Sequence, residues 1–385
     1  MNKKLQFKNL LIISSFSVYL MTIFLIQNST LNLVHSLANF AQIIKSGYII
    51  LSLLFILLFN KYSVKQIVVL ATIVIPLFVT RVIVGVSPLL DLMIVITGLK
   101  CLSLKKILNT FFVTQAISFI LILSLFFLSV IPDRVVIRDG IVRSSLGFWH
   151  PNTVGMMLLS LFMLSTFSEK KMTKLLFKIG VFNIISIIFY GLTNSRTSFF
   201  LILVVSCLTL LQYFFKNRNF LFINSRWFIP IIFIILFVVS YVSSILYLHG
   251  NSLIIKLSIL LSNRISIGSR FINEYRLTFF GQQVEYSSLN YSVQEVVGFQ
   301  YKVLDNVYLK YLLNYGAFSI GLLSLYLYRI SKTLNNYYLK YWNIYLLIFL
   351  IFGLMEQSVF NVSTNFLLLF GVILLNNKDN EEFLG

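Results

Sequence analysis

The chain has 385 residues, 58% of them apolar and 11% charged, with a mean hydropathy of +0.90. Those values exclude a soluble domain, and two widely separated cysteines, Cys101 and Cys207, exclude a disulfide scaffold. The net charge of +19 is spread over short basic clusters between apolar runs, with no basic tail or compact basic domain, which excludes a nucleic-acid binder and fits the loops of a membrane protein.

A membrane-crossing helix needs about 20 mostly apolar residues. By that criterion the sequence predicts about twelve spans, near 9–27, 38–59, 66–83, 87–99, 107–131, 151–168, 176–193, 198–215, 227–248, 305–327, 341–358 and 363–376. The expected fold is therefore an all-α polytopic membrane protein, a single integral membrane domain over 1–385. Residues 1–28 have a basic start and an apolar core too long for a signal peptide, so they read as the first span. Around Arg81 to Asp91, Gly85 and Pro88 mark either a tight hairpin or a break in one long element.

Counting Lys and Arg by loop sets the orientation. With both termini in the cytoplasm, 19 of the 31 basic residues fall inside. The other 12 are Lys45, Arg81, Arg134, Arg138, Arg143, Arg196, Lys256, Arg264, Arg270, Arg276, Lys302 and Lys310, and eight of these are arginine. Arginine's planar fork matches a phosphate or carboxylate with two parallel hydrogen bonds, so an arginine-rich outer face points to an anionic ligand there.

Two outer segments are large. The first, 132–150, mixes both charge signs; the second, 249–304, is long, polar and tyrosine-bearing, with amphipathic helices expected near 252–262 and 264–280.

Several polar stations in these regions carry chemistry. His150 precedes Pro151 and stands at a helix start, where it either caps the helix or transfers a proton at neutral pH; Asn152 follows it. Arg196 lies in the hydroxyl-rich break from Thr193 to Ser198, with Ser195 and Thr197 beside it. Arg270 either pairs with Glu274 at i+4 or binds an anion. Asp305, Asn306 and Tyr308 open the tenth span, where an Asp or Asn serves as N-cap or takes part in a site. Glu356 stands near the end of the eleventh span, where a carboxylate is expensive and marks a functional site or a structural partner for an arginine. No histidine, cysteine or acidic spacing fits a metal, and no glycine-rich ATP loop is present, so no cofactor is expected.

In these residues the chain resembles a bacterial Wzy-type polysaccharide polymerase of the O-antigen polymerase/ligase superfamily. The pieces that carry the resemblance, in order, are Arg143 to Gly155 (RSSLGFWHPNTVG), Asn194 to Ser198 (NSRTS), Arg264 to Gly281, Asp305 to Gly316 (DNVYLKYLLNYG) and Glu356 to Asn365. The resemblance covers about the last two thirds of the chain; the first 130 residues match only in hydropathy. It implies a GT-C-like fold in the bacterial cytoplasmic membrane with the active site facing outside. The implied substrate is a polyprenyl (undecaprenyl) diphosphate-linked oligosaccharide repeat unit, polymerised by metal-independent inverting glycosyl transfer for capsule, exopolysaccharide or O-antigen. A chain-length regulator and a flippase are the partners such an enzyme works beside, together with membrane lipid.

Carried onto this sequence, the resemblance makes Arg196 and Arg270 the diphosphate contacts, with Arg143 a third. His150, Glu356 and Asp305 are the candidates for the base. Trp149, Tyr275, Tyr286 and Tyr301 are aromatic faces on which sugars could stack. The alternatives are a ligase of the same superfamily that transfers glycan once, and a flippase or transporter of lipid-linked oligosaccharide. Transport predicts charges along a path at mid-membrane, whereas here the polar stations gather at the predicted outer face.

Overall fold

A computed structural model describes residues 3–60, 62–138, 140–214, 225–286, 303–334 and 341–375. The chain opens with α1 (Lys3–Thr22), whose last residues run into a short π-helical turn, Ile23–Gln27. After the turn at Thr30–Leu33 comes α2 (His35–Phe59), then α3 (Val64–Val84) and α4 (Pro88–Gly98). Ser63 and Gln66 start α3 with a reciprocal capping box. Gly85 ends it in the left-handed conformation, with φ 86°, and Pro88 starts α4 at its first position. The Gly85/Pro88 region is thus a hairpin of two helices, tied by Arg81 and Asp91 at 2.7 Å with Lys45 3.7 Å from the same carboxylate.

α5 (Leu104–Phe127) is followed by an antiparallel hairpin of β1 (Val136–Arg138) and β2 (Ile141–Arg143). Beyond it lie α6 (Pro151–Thr166), α7 (Met172–Thr193), α8 (Arg196–Phe214) and α9 (Phe228–Leu248). The second outer segment holds α10 (Ser252–Leu260) and α11 (Arg264–Glu274); residues 287–302, with Tyr301 and Lys302, lie outside the described residues. The chain closes with α12 (Val307–Leu334), α13 (Trp342–Phe352), a 3₁₀ turn at Phe366–Phe370 and α14 (Gly371–Leu375).

Among the described residues, seven helical stretches are long and apolar enough to cross a membrane: Gln6–Gln27, α2, α3, α5, α7, α8 and α9. Their outward faces are apolar. Leu57 is 77% exposed, Val64 78% and Phe177 72%, as fits helices set in lipid. The other expected spans differ in form. α4, α6 and α13 have 11, 16 and 11 residues, and the last stretch is divided between a 3₁₀ turn and α14. α13 stops early because Gly353 joins α12: its carbonyl accepts the Val307 N–H at 2.9 Å, and a Cβ on it would lie 2.7 Å from Val307 Cγ1.

The core sits between α1, α4, α5, α6, α12, α13 and the last turns, and some of its buried polar groups pair across helices. Gln115 accepts from Ser160 at 3.1 Å, Tyr345 and Thr166 hydroxyls meet at 2.7 Å, and the Tyr311 hydroxyl donates to Phe360 O at 3.2 Å.

α12 is broken at Gly316, where φ is 80° and ψ is 171°. The extended segment after α11 lies against that break. Gln282 N–H donates to Asn314 O at 3.1 Å, Ala317 N–H to Thr278 O at 3.0 Å and Phe318 N–H to Phe279 O at 3.1 Å. Carbonyls and amides freed by the kink are satisfied by a segment some 35 residues away in sequence. This is why α11 ends at Glu274, short of the expected 280: the following residues pair with α12 instead.

Candidate functional site

α6 and α8 begin, and α7 and α13 end, at one end of the helical assembly, and the polar stations meet there. His150 caps α6: its Nδ1 accepts the Asn152 N–H at 3.1 Å, and the ring is half-buried. Two residues on, the Asn152 side-chain oxygen accepts from Arg143 at 2.8 Å, and Arg143 Nε donates to Thr193 O at 3.0 Å. Arg143 is 5% exposed, so its guanidinium fastens the hairpin to the α6 start and the α7 end. The hairpin has its own anchor in Asp133, whose carboxylate accepts from Ser144 Oγ at 2.6 Å and from Ser145 N and Oγ at 2.9 Å. Arg134 stacks 4.4 Å over the Trp149 ring.

The α7–α8 turn is compressed against α6. Asn194 takes a left-handed conformation with φ 46°, and a Cβ at Gly155 would lie 2.5 Å from Ser198 Cβ and 2.8 Å from Ser195 Oγ. Ser195 is buried at this contact. Arg196 points outward, its Nε donating to the Asn194 side-chain oxygen at 3.1 Å, and is exposed. Thr197 faces the opposite way, with its hydroxyl 3.7 Å from Met355 Sδ. This contact brings the α8 start to the turn that carries Glu356.

Glu356 lies past the end of α13, in the turns that follow Gly353. Ser358 Oγ donates to Glu356 Oε1 at 3.0 Å and also meets Met156 Sδ of α6 at 3.5 Å. Burial pushes the Glu356 carboxyl up to about 7, and the negative charge of Asp305 adds to this; hydrogen bonds from Ser358 and the Arg264 guanidinium act the other way. Asp305 pairs with Arg264 at 3.7 Å, and Lys310 donates to the side-chain oxygen of the adjoining Gln357. The cluster therefore draws Asp305 and Lys310 from the α12 start, Arg264 from the α11 start and Glu356 from the α13 end.

Asn306 caps α12, accepting from Tyr308 N and Leu309 N at 3.0 and 3.1 Å, and it donates to Ser240 of α9 at 3.0 Å. Tyr308 is fully buried, and its hydroxyl donates to Leu350 O at 2.6 Å, so both residues position α12. Arg270 is exposed on α11, the helix whose buried side sets Gly268 against Leu309 of α12 and Ser244 of α9. Tyr286 covers the cluster's flank: its hydroxyl bonds the Asn314 side chain, and Lys310 Nζ is 5.5 Å from its ring centre.

Of the residues singled out in the sequence, Glu356 and Asp305 come together, with Asn306 capping α12 beside Asp305 and Thr197 against Met355, whereas Arg143, Asn152 and His150 form a neighbouring knot at the α6 start, where Ser195 packs on Gly155. Arg196 and Arg270 stand exposed on separate elements. Sequence reading missed Arg264, Lys310 and Gln357 as members of the cluster. Their signal was position: Arg264 and Lys310 belong to the minority of basic residues on the predicted outer face, and all three fall within the pieces that carry the resemblance. Among the described residues, no group of three or more His, Cys, Asp or Glu could hold a metal ion. Comparison with family models, with curated proteins and with solved structures finds no match.

Proposed function

We propose that this protein is a membrane glycosyltransferase that polymerises polyprenyl diphosphate-linked oligosaccharide repeat units at the outer face of the bacterial cytoplasmic membrane. One observation carries the reading. Stations from five separated parts of the chain converge at one end of the helices: Arg143 to Gly155, Asn194 to Ser198, Arg264, Asp305 to Lys310 and Glu356 to Ser358. They combine a carboxyl poised near neutrality with arginines open to solvent.

In the proposed reaction an acceptor sugar hydroxyl attacks the anomeric carbon of the lipid-linked chain. The new C–O bond forms as the bond to the diphosphate breaks, with inversion, and Glu356 takes the hydroxyl proton. Arg196 and Arg270 stabilise the negative charge that grows on the leaving diphosphate, a contribution of about 3 kcal/mol for one well-placed donor. Arg143, already committed to Thr193 and Asn152, acts by holding the knot in place.

The purified protein, incubated with polyprenyl-diphosphate repeat units, is expected to yield a ladder of glycolipids on gels. A single addition would instead identify a ligase. An absence of product, together with movement of the lipid-linked sugar across liposomes, would replace the reading by transport. Arg196→Ala and Arg270→Ala are each expected to lower polymer formation by about 100-fold while the protein stays inserted, as for the loss of one leaving-group donor. Unchanged polymer in either variant removes that arginine from the site.

A further inference from the structure

Two of the basic residues predicted on the outer face, Lys45 and Arg81, take no part in the proposed reaction, yet the fold brings them together. They share one carboxylate: Arg81 Nη1 donates to Asp91 Oδ1 at 2.7 Å, and Lys45 Nζ stands 3.7 Å from Asp91 Oδ2. Arg81 alone closes the α3–α4 hairpin, so the cation that α2 adds is surplus to that tie. Among the described residues no other carboxylate pairs with either cation, and two positive charges against one negative leave one positive charge over. Lys45 Nζ is beyond hydrogen-bond distance of Asp91, and Arg81 Nε and Nη2 bond nothing among the described residues. The two side chains are 32% and 38% exposed, so these donors are open to a ligand. We propose that Lys45 and Arg81, held by Asp91, bind the phosphate group of a membrane lipid. The inference does not rest on the polymerase reading.

Position and charge decide the ligand. Lys45 lies about 15 Å along α2 from its start at His35, within a helix long and apolar enough to cross a membrane, where a cation is costly and marks a partner or a site. Arg81 occupies the last turn of α3 and Asp91 the first turn of α4. The surroundings have the order of a lipid. One turn from Arg81 toward the middle of α3, Phe78 is exposed on the same face and offers an apolar surface to a tail. One turn from Lys45 toward the start of α2, Gln42 is exposed and offers an amide donor to a phosphate oxygen. The arginine fork suits two oxygens of one phosphate, the lysine adds a point charge, and the single surplus positive charge matches the single negative charge of a phosphate diester. The segment that follows α11 borders the site: the Gln283 side-chain amide donates to Ile83 O at the end of α3 at 3.4 Å, while Gln282 N–H holds Asn314 O of α12.

Native mass spectrometry of the purified full chain in neutral detergent tests the site, by titration with phosphatidylglycerol, with polyprenyl phosphate and with inorganic phosphate. Diacylglycerol, which has tails and no phosphate, is the control. An Arg196→Ala, Arg270→Ala background keeps those two exposed arginines out of the count. Lys45→Gln leaves the Arg81–Asp91 tie in place and is expected to weaken binding of lipid phosphate about tenfold, as for the loss of one charge-assisted contact, whereas Lys45→Arg keeps it within about threefold. Arg81→Gln is expected to weaken binding at least as much, and also to lower the Tm because the hairpin loses its tie. Undiminished lipid binding in folded Lys45→Gln overturns the site, as does diacylglycerol binding as tightly as the phosphate-bearing lipids. Inorganic phosphate bound as tightly as either lipid overturns the assignment to a lipid in favour of a free ion. Tighter binding of polyprenyl phosphate than of phosphatidylglycerol supports the site as one for a lipid carrier, and equal binding of the two supports it as one for bulk anionic lipid.

Discussion

At the scale of single residues, Glu356 makes the most exacting demand on the site. Its carboxyl sits at about 7, above its ordinary 4.5, because burial and Asp305 both disfavour the charged form. A base must be ionised to work, so polymer formation is expected to rise with pH and reach half its maximum near 7. Glu356→Gln is expected to lose about 10²- to 10⁴-fold in rate and to lose the acidic inflection, measured as initial rates across pH 5 to 9. Stability runs the other way. A carboxyl whose folded value is raised binds its proton more tightly in the folded state, so the fold loses stability as pH rises from about 4.5 through about 7. Glu356→Gln abolishes that loss, and its Tm in detergent is expected to exceed that of the wild type by more at pH 8 than at pH 5. An equal Tm difference at the two pH values would contradict the strained ionisation of Glu356.

At the scale of elements, the broken helix α12 explains how an outer segment becomes part of a rigid site. Gly316 and Gly281 face each other across the break, both with positive φ, and neither has room for a side chain. A Cβ at Gly281 would lie 2.0 Å from Asn314 O, and one at Gly316 would lie 2.3 Å from Phe279 O. Because these contacts are with backbone, no side-chain rotation relieves them. Gly316→Ala and Gly281→Ala are each expected to cost about 2 to 4 kcal/mol locally, from backbone strain plus lost hydrogen bonds. Limited proteolysis between Arg276 and Tyr286 reads this out, with faster cleavage in either variant and little change elsewhere; cleavage at the wild-type rate would show that the interlock does not hold the segment.

This interlock was not legible in the sequence. Hydropathy locates α12 but not the break, because the pairing joins backbone atoms far apart in the chain and leaves no periodic trace. What was legible followed from local chemistry. Gly85 and Pro88 mark a hairpin or a break, which the structure resolves as a hairpin, Asn306 an N-cap and Pro151 a helix start. The short α6 and α13 lie between these cases: their apolar composition was evident, but their ends are set by contacts, as when Gly353 meets Val307. Likewise, Glu356 and Asp305 stood out as rare acids, whereas Arg264 and Lys310 looked like ordinary outer basic residues until the fold placed them beside those acids.

At the scale of the whole molecule, the reading depends on which side of the membrane the cluster faces. The long helices and the basic clusters give an expected orientation that does not depend on the shorter helices. Between Lys170 and Ser252 lie α7, α8 and α9, each long and apolar enough to cross. Three crossings would put the two residues on opposite sides, with Arg196, at the turn between α7 and α8, on the same side as Ser252. Lys170, Lys171, Lys174 and Lys178 form a basic group at the α7 start, which the positive-inside rule assigns to the cytoplasm. On that topology Arg196 and the Glu356 cluster are expected to face outward, where a lipid-linked sugar already carried across the membrane would be presented under the proposed function. The chain has only two cysteines, so Cys101→Ser with Cys207→Ser gives a clean background for single-cysteine labelling. Both test positions, Lys170 and Ser252, are exposed. In intact cells a membrane-impermeant maleimide is expected to label Ser252→Cys and not Lys170→Cys, and Lys170→Cys is expected to react only after permeabilisation. The reverse pattern would turn the cluster toward the cytoplasm, where nucleotide sugars rather than polyprenyl-linked repeat units are the available donors, and the proposed polymerase would fall with it.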